Sequence, residues 1–305
     1  MPVMMFRNVT FFRLGPLHTD NLESRLQEGA LKPVALSQMS SCGFVPPIPG
    51  DDRLAYMQQD VSGITLGTQS RLLPASVIAD KIAAEVKRIE QETGARPGRG
   101  TLRNIKETAI AELLPKAFII STQVDAIIDT RAGFVAVDTA SRTVAEHLVS
   151  YLRSTLDTCP AIPVTAGASL HPRARMTMWA SGEALPQGFQ LSDSIDLVDP
   201  GDNGATVKMR HHLPQCDEAQ THLEAGKVVD RLALTFRDRC SFVLDNQLAL
   251  RKFKLLDAAT DSLPTDTDSL ADELRARFTL MSGELRELYA ALTDAFVLIP
   301  SKSGQ

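Results

Sequence analysis

Residues 227–256, KVVDRLALTFRDRCSFVLDNQLALRKFKLL, hold three apolar stretches with short turns between them, which constrains the fold more than any other segment. Alternation with a period of two marks half-buried strands. Connections this short join only antiparallel neighbours, because a parallel crossover needs a dozen or more residues. KVVDRLALTF and SFVLDN therefore read as a strand pair, with QLALRKFKLL as a third strand beyond a hairpin turn at Asp245-Asn246. In the first of these, Val228, Leu232, Leu234 and Phe236 are expected to face a core. The preceding HLEAGKVV places Gly226-Lys227 between a helix and a strand, where a phosphate grip is conceivable. A P-loop would need glycine at Thr221 and Ser or Thr at Val228, and it runs from strand to helix. Nucleotide binding is excluded here, and Gly226 is expected to end the helix in a left-handed cap.

The remaining chain alternates helical and extended patterns. Met4–Leu14 reads as a strand, and Thr19 or Asp20 caps a short helix that carries Leu22 and Leu26 and stops at Gly29. GFVPPIPG (43–50) is a proline-fixed loop, and LAYMQQDVSGITLG forms two short strands. Pro74 opens a helix to about Glu92 with Val77, Ile78, Ile82, Val86 and Ile89 as its apolar stripe. GARPGRG (94–100) breaks it. A second helix over about 101–114 carries Leu102, Ile105, Ala109 and Leu113. FIISTQVDAIID and FVAVDT pair as strands, a helix follows at 141–156, and a short helix lies near Trp179. A strand near 204–212 leads to a helix at about 215–225. Residues 257–268 read as an acidic linker before a closing helix from about Ser282 to Leu298. The expected class is α+β: antiparallel sheets with flanking helices and a projecting helical hairpin. The expected regions are a central one (1–73 and 119–170), the hairpin (74–118) and a C-terminal one (171–305).

Among the 305 residues, no apolar run approaches the ~20 that span a bilayer. MPVMMFRNVTFFRL lacks the features of a signal peptide, so no membrane and a cytoplasmic location are expected. Cys42, Cys159, Cys216 and Cys240 form no CxxC and are expected as free thiols. Cys216, His211, His212 and His222 match no standard metal motif. The net charge of −5 hides local segregation. Residues 71–118 and residues 205–256 each carry nine Lys/Arg against six Asp/Glu, whereas 189–204 carry four Asp and no base.

No nucleophile elbow, HExxH or dinucleotide fingerprint is present, and no cofactor is expected. The run Asp193, Asp196, Asp199 and Asp202 is the densest carboxylate set, and a metal-dependent nuclease built on it is the alternative reading. The basic residues fit backbone binding better, because each neutralised phosphate releases a counterion. The candidates are Lys81, Lys87, Arg88, Arg96, Arg99 and Arg103 on the hairpin, and Lys208, Arg210, Lys227, Arg251, Lys252 and Lys254 on the sheet. With 5% aromatics, stacking on single-stranded bases is limited.

MMFRNVTFFRL, GFVPPIPG, RLLPASVIADKI, LLPKAF, FQLSDS, HLEAGKVVDRLALTF, SFVLDNQLALRKFKLLD and FTLMSGEL occur in this order. Together they resemble the bacterial RdgC family of recombination-associated proteins over nearly the whole chain. The resemblance implies a non-enzymatic protein that forms a ring-shaped homodimer with a positively charged hole able to encircle DNA. It implies binding to double- and single-stranded DNA without sequence preference, a nucleoid-associated location, and antagonism of RecA by competition for DNA. LLPKAF matches the family's LLPRAF, so the resemblance implies a ring-closing contact at Phe118, with Lys116 keeping the neighbouring positive charge. A basic family segment aligns with Met209, Arg210 and His211, where one cation is lost and Lys208 stands beside it. GARPGRG and LGTQSR depart from more highly charged stretches in relatives.

Overall fold

The computed structural model describes residues 4–167, 171–201, 204–261, 263 and 270–300. In chain order, β1 (Thr10–Leu14) and α1 (Leu22–Glu28) precede β2 (Ser40–Val45), β3 (Ala55–Gln58) and β4 (Val61–Leu72). The helices α2 (Ala75–Thr93) and α3 (Arg99–Leu113), followed by a 3-10 turn at Leu114–Lys116, lead into β5 (Phe118–Asp129) and β6 (Phe134–Val137). Next come α4 (Arg142–Leu156), β7 (Ala161–Thr165), α5 (Pro172–Ala180), β8 (Phe189–Val198), β9 (Thr206–Arg210) and α6 (Asp217–Glu224). The chain continues through β10 (Val228–Phe236), β11 (Cys240–Asp245), β12 (Leu250–Leu255), α7 (Asp257–Thr260), α8 (Leu270–Phe296) and β13 (Ile299–Pro300). The class is α+β with antiparallel sheets and flanking helices.

Two compact units divide these elements. One comprises Met1–Glu28, Pro46–Thr65 and Val124–Gln305; the other comprises Gly29–Val45 and Leu66–Gln123. The smaller unit thus contains the hairpin together with β2, while residues 171–305 share the larger unit with the N-terminal strands.

In the larger unit, one sheet runs in the order β13-β7-β1-β6-β5-β4, with β3 also paired to β4. Ala126–Asp129 and Phe134–Val137 are buried on both faces, and Gly133 turns between them at φ +71°. The second sheet runs β12-β11-β10-β8-β9. Helix α8 contributes to the packing against both sheets. Tyr289 meets Phe11 and Phe134 of the first sheet, and Phe296 meets Trp179 of α5, which stacks near Phe189 of β8.

Helix α8 begins at Leu270, twelve residues before the Ser282 expected from sequence. Its first turns carry acidic residues that suggest a linker. However, Leu274, Phe278, Met281, Leu285, Leu288 and Leu292 recur at alternating spacings of four and three, and all but Leu274 of these are buried. That spacing is one helical stripe. On the same helix Arg286 reaches the fully buried Asp129 carboxylate at 2.7 Å, and Asp129 also accepts the Ala132 N–H.

The joint at Gly226 is a Schellman cap. Gly226 has φ +90° and its N–H bonds to Leu223 C=O at 2.9 Å, while Lys227 N–H bonds to His222 C=O at 3.1 Å. β10 then departs from the expected phase. A register shift between Val229 and Arg231 puts Val229 in the core and leaves Val228 half-buried, while Leu232, Leu234 and Phe236 are buried as expected. The β10–β8 pairing shifts again between Leu232 and Leu234, and a third shift lies between β11 and β12. Lys252 has φ +53°, and the pairing passes from Val243↔Arg251 to Ser241↔Lys254. This extra residue lets Arg251 and Lys254, three apart, occupy the same face.

In the smaller unit, β2 neighbours β4. Leu31 N–H bonds to Phe44 C=O and Phe44 N–H to Gly29 C=O. A Cβ on Gly43 would lie 2.4 Å from Leu31 backbone atoms, so no other residue fits this crossing. Helix α2 ends at Gly94 (φ +70°), and α3 starts at Arg99 after Gly98, so GARPGRG breaks the helix as read. Ile78, Ile82, Val86 and Ile89 are only half-buried and Val77 is exposed, whereas Ile105 and Ala109 of α3 are buried.

The bulge makes a direct prediction about backbone strain. Lys252→Gly should leave stability within about 0.5 kcal/mol of the parent or raise it, since glycine adopts positive φ freely. Lys252→Val should cost more than about 1 kcal/mol. Denaturant midpoints of the two variants check this.

A second prediction concerns pH. Burial raises the pKa of Asp125, helped by the nearby Asp138 charge, although the Thr65 hydroxyl donates to it at 2.6 Å. A carboxyl raised on folding contributes its full stability below its unfolded pKa of about 4 and loses it as pH rises through the folded value. The ionised group therefore costs stability at neutral pH. Asp125→Asn, which keeps an acceptor for Thr65, should raise the thermal midpoint at pH 7, with the gain vanishing toward pH 3.

Candidate nucleic-acid interface

The five-stranded sheet packs its apolar side chains mainly on one face. Leu232, Ile195, Met209 and Leu244 lie on the core side. Residues directly opposite in an antiparallel pair share a face, so the register defines the other side row by row. One row reads Lys208↔Asp196↔Arg231↔Asp245, and the pairings Val243↔Arg251 and Ser241↔Lys254 continue the same face across β12. Arg210, two residues from Lys208, joins them. Five cations (Lys208, Arg210, Arg231, Arg251 and Lys254) thus share a face with two carboxylates, Asp196 and Asp245.

The two acids organise the arginines. Asp196, almost buried, meets Arg210 Nη1 at 2.6 Å and Arg231 Nη1 at 3.6 Å. Asp245 holds Arg251 Nε at 2.8 Å while accepting the N–H groups of Gln247 and Ala249. Lys208 and Lys254 are exposed and form no ion pair among the described residues. Arg231 is the member that sequence reading missed. Its signal was strand parity, because Leu232, Leu234 and Phe236 facing the core put Arg231 on the opposite side.

Other candidates stand apart from this face. Lys252 is the exposed bulge residue and falls outside the alternation. His211, at φ +60°, places Nδ1 3.3 Å from Asp193. Lys227 is largely buried, with Nζ 4.0 Å from Asp199. Lys81, Lys87, Arg88, Arg96, Arg99, Arg103 and Lys116 belong to the smaller unit. Four of these are matched by glutamates: Lys81 by Glu112 at 3.0 Å, Arg88 by Glu85 and Glu92, Arg96 by Glu90 at 3.8 Å, and Arg103 by Glu107 at 3.0 Å. Lys87, Arg99 and Lys116 form no ion pair among the described residues. The basic tip read from sequence is therefore a mixed-charge surface, because helical spacing sets Glu beside Arg at three- and four-residue intervals.

The aspartate run does not converge. Asp196 is engaged by two guanidinium groups, Asp193 is exposed, and Asp199 accepts the Gly201 N–H at 3.0 Å. Asp202 lies outside the described residues. Among the described residues no three His, Cys, Asp or Glu side chains come together with metal-binding geometry. The four cysteines are free thiols. No helix is long and apolar enough to cross a membrane among the described residues.

Phe118 opens β5 with 82% of its surface exposed, and Ile119 and Ile120 follow, also exposed. The pairing of β5 with β6 covers only Ala126–Asp129, so residues 118–123 extend beyond it. Leu36, Met39, Leu72 and Val77 of the same unit are exposed as well.

Comparison with known proteins bears out the family resemblance carried by the sequence blocks. Residues 4–299 match the family model described as "Putative exonuclease, RdgC". The chain is 41% identical over 299 residues to the recombination-associated protein RdgC of Xanthomonas campestris pv. campestris (strain B100), covering 97% of this chain and 98% of that one. It is 40% identical over 300 residues to the protein of the same name from Stenotrophomonas maltophilia (strain R551-3), covering 97% and 99%. For the Xylella fastidiosa (strain M23) protein of that name, identity is 41% over 293 residues, covering 95% and 96%. A match this long, through both units and at this identity, makes the chain a member of the RdgC family of recombination-associated proteins.

Proposed function

We propose that this protein binds the DNA backbone, double- or single-stranded and without sequence preference, and does not cleave it. The observation that carries this reading is the outer face of the five-stranded sheet, where five cations stand against two carboxylates. Its side chains suit phosphate oxygens, since guanidinium groups chelate them and lysine supplies a mobile point charge. Asp196 and Asp245 hold the arginines ready, and Lys208 and Lys254 are free to meet phosphate. The relatives' shared name links them to recombination. The strands here offer bases few aromatic platforms, so backbone contact outweighs base stacking.

Within this reading the protein acts as a homodimer whose two copies meet through Phe118 and the apolar residues beside it. The dimer closes as a ring around DNA in the nucleoid and restrains RecA by occupying the DNA that RecA needs. The exposed run Phe118–Ile120 at the start of β5 supports the contact, because among the described residues this apolar segment extends beyond the pairing with β6, and an unpaired strand edge seeks a partner.

Three outcomes test the proposal. Log affinity for duplex DNA should fall with log salt at a slope of about −4 to −5 if all five cations meet phosphates. Lys208→Ala with Lys254→Ala should lower that slope by about 2, equally for unrelated sequences, while the ion-paired Arg103→Ala leaves it nearly unchanged. Affinity that ignored salt would overturn the reading. Labelled DNA incubated with the protein and magnesium or manganese should stay intact; shortening of its ends would favour a nuclease. For the assembly, Phe118→Ser should weaken the dimer at least tenfold by sedimentation and lower retention on closed-circular DNA after a salt wash, with the chain still folded.

A further inference from the structure

Arg71 lies near the end of β4 in the smaller unit and is only 7% exposed, yet no carboxylate pairs with it among the described residues. Its guanidinium is spent on backbone carbonyls. Nη1 donates to Leu114 C=O at 2.8 Å and to Ala117 C=O at 3.4 Å, and Nη2 donates to Ala35 C=O at 3.4 Å. Nε is buried without a partner, while the Arg71 N–H bonds to Met39 C=O at 2.8 Å.

Taking a guanidinium from water without a counter-charge costs several kcal/mol, so hydrophobic stabilisation alone gives no reason for arginine here. The carbonyls it meets explain the residue. Leu114 caps the C-terminus of α3, where the helix carries partial negative charge. Ala117 ends the 3-10 turn and directly precedes Phe118. Ala35 belongs to the segment leading to β2. A planar fork reaches these spread-out carbonyls, on the 114–117 turn and at Ala35, better than lysine, whose donors sit on one compact ammonium, while apolar side chains offer no donor.

We propose that Arg71 is a positioning residue for the Phe118 contact. It sets the direction in which the chain leaves the hairpin, and so the presentation of Phe118, Ile119 and Ile120. This inference rests on the reading of Phe118 as a contact between two copies of the chain.

The experiment compares Arg71→Met, Arg71→Lys, Phe118→Ser and the double variant Arg71→Met/Phe118→Ser in the full chain. Methionine fills much of the volume without the buried charge, so the thermal midpoint should stay close to the parent. The dimer dissociation constant should rise at least tenfold, and hydrogen exchange at the amides of Ala117–Ile120 in the diluted monomer should quicken. Arg71→Lys should fall between parent and Arg71→Met. The double variant should dimerise no more weakly than Phe118→Ser alone, because both changes act on one contact. If Phe118→Ser weakens the dimer and Arg71→Met leaves it unchanged, the role of Arg71 is overturned while the contact stands. If Phe118→Ser itself leaves the dimer unchanged, the contact reading fails. Should Arg71→Met not fold, Arg71→Lys decides: a weaker dimer at an unchanged midpoint supports the role, and an unchanged dimer overturns it.

Discussion

An antiparallel strand presents successive side chains to opposite faces, and the five-stranded sheet obeys that parity with charge on one side and apolar volume on the other. Every candidate contact on its outer face follows from this constraint. Lys208 shares a row with Asp196, Arg231 and Asp245 because register places them opposite one another. Parity is broken at irregularities between β10 and β8 and again at Lys252, whose bulge brings Arg251 and Lys254 to the same side. A left-handed lysine there is thus a local cost tied to the composition of the surface.

Buried acids hold the larger unit together in a related way. Asp129 ties α8 to the β5–β6 turn through Arg286, while Asp196 and Asp245 each fix arginines on the sheet surface. Pairs in which one partner is buried are strongly destabilised by loss of the other partner. They therefore specify geometry more than they add stability. In the proposed role of presenting cations toward phosphate, arginines held in place lose less side-chain freedom on binding than free chains would.

The smaller unit has a different balance. Helix α2 is only half-buried along the stripe that should form a core, four of the unit's cations are matched by glutamates, and several large apolar side chains are exposed. Such a unit has more apolar surface than its own fold covers, which fits the proposed contact with a second copy better than a phosphate track. Arg71 belongs to this picture as a buried charge that links segments by their carbonyls.

Much of the fold was legible in the amino-acid order. Alternation named the strands at 227–256, glycines and Pro97 broke the hairpin, and Gly226 marked a helix end, because period and backbone freedom are local properties. Acidic residues at the start of α8 hid a stripe that only burial against both sheets makes plain. The family was legible from its blocks of sequence. Basic residues could be named one by one, but their distant partners could not, since Glu112 beside Lys81 and Asp196 between Arg210 and Arg231 depend on helix packing and strand register. The sequence by itself determined the elements, the family and the supply of charge. Only the tertiary structure decided which cations share a face, because a shift of one residue in register moves every later side chain to the other side of a sheet.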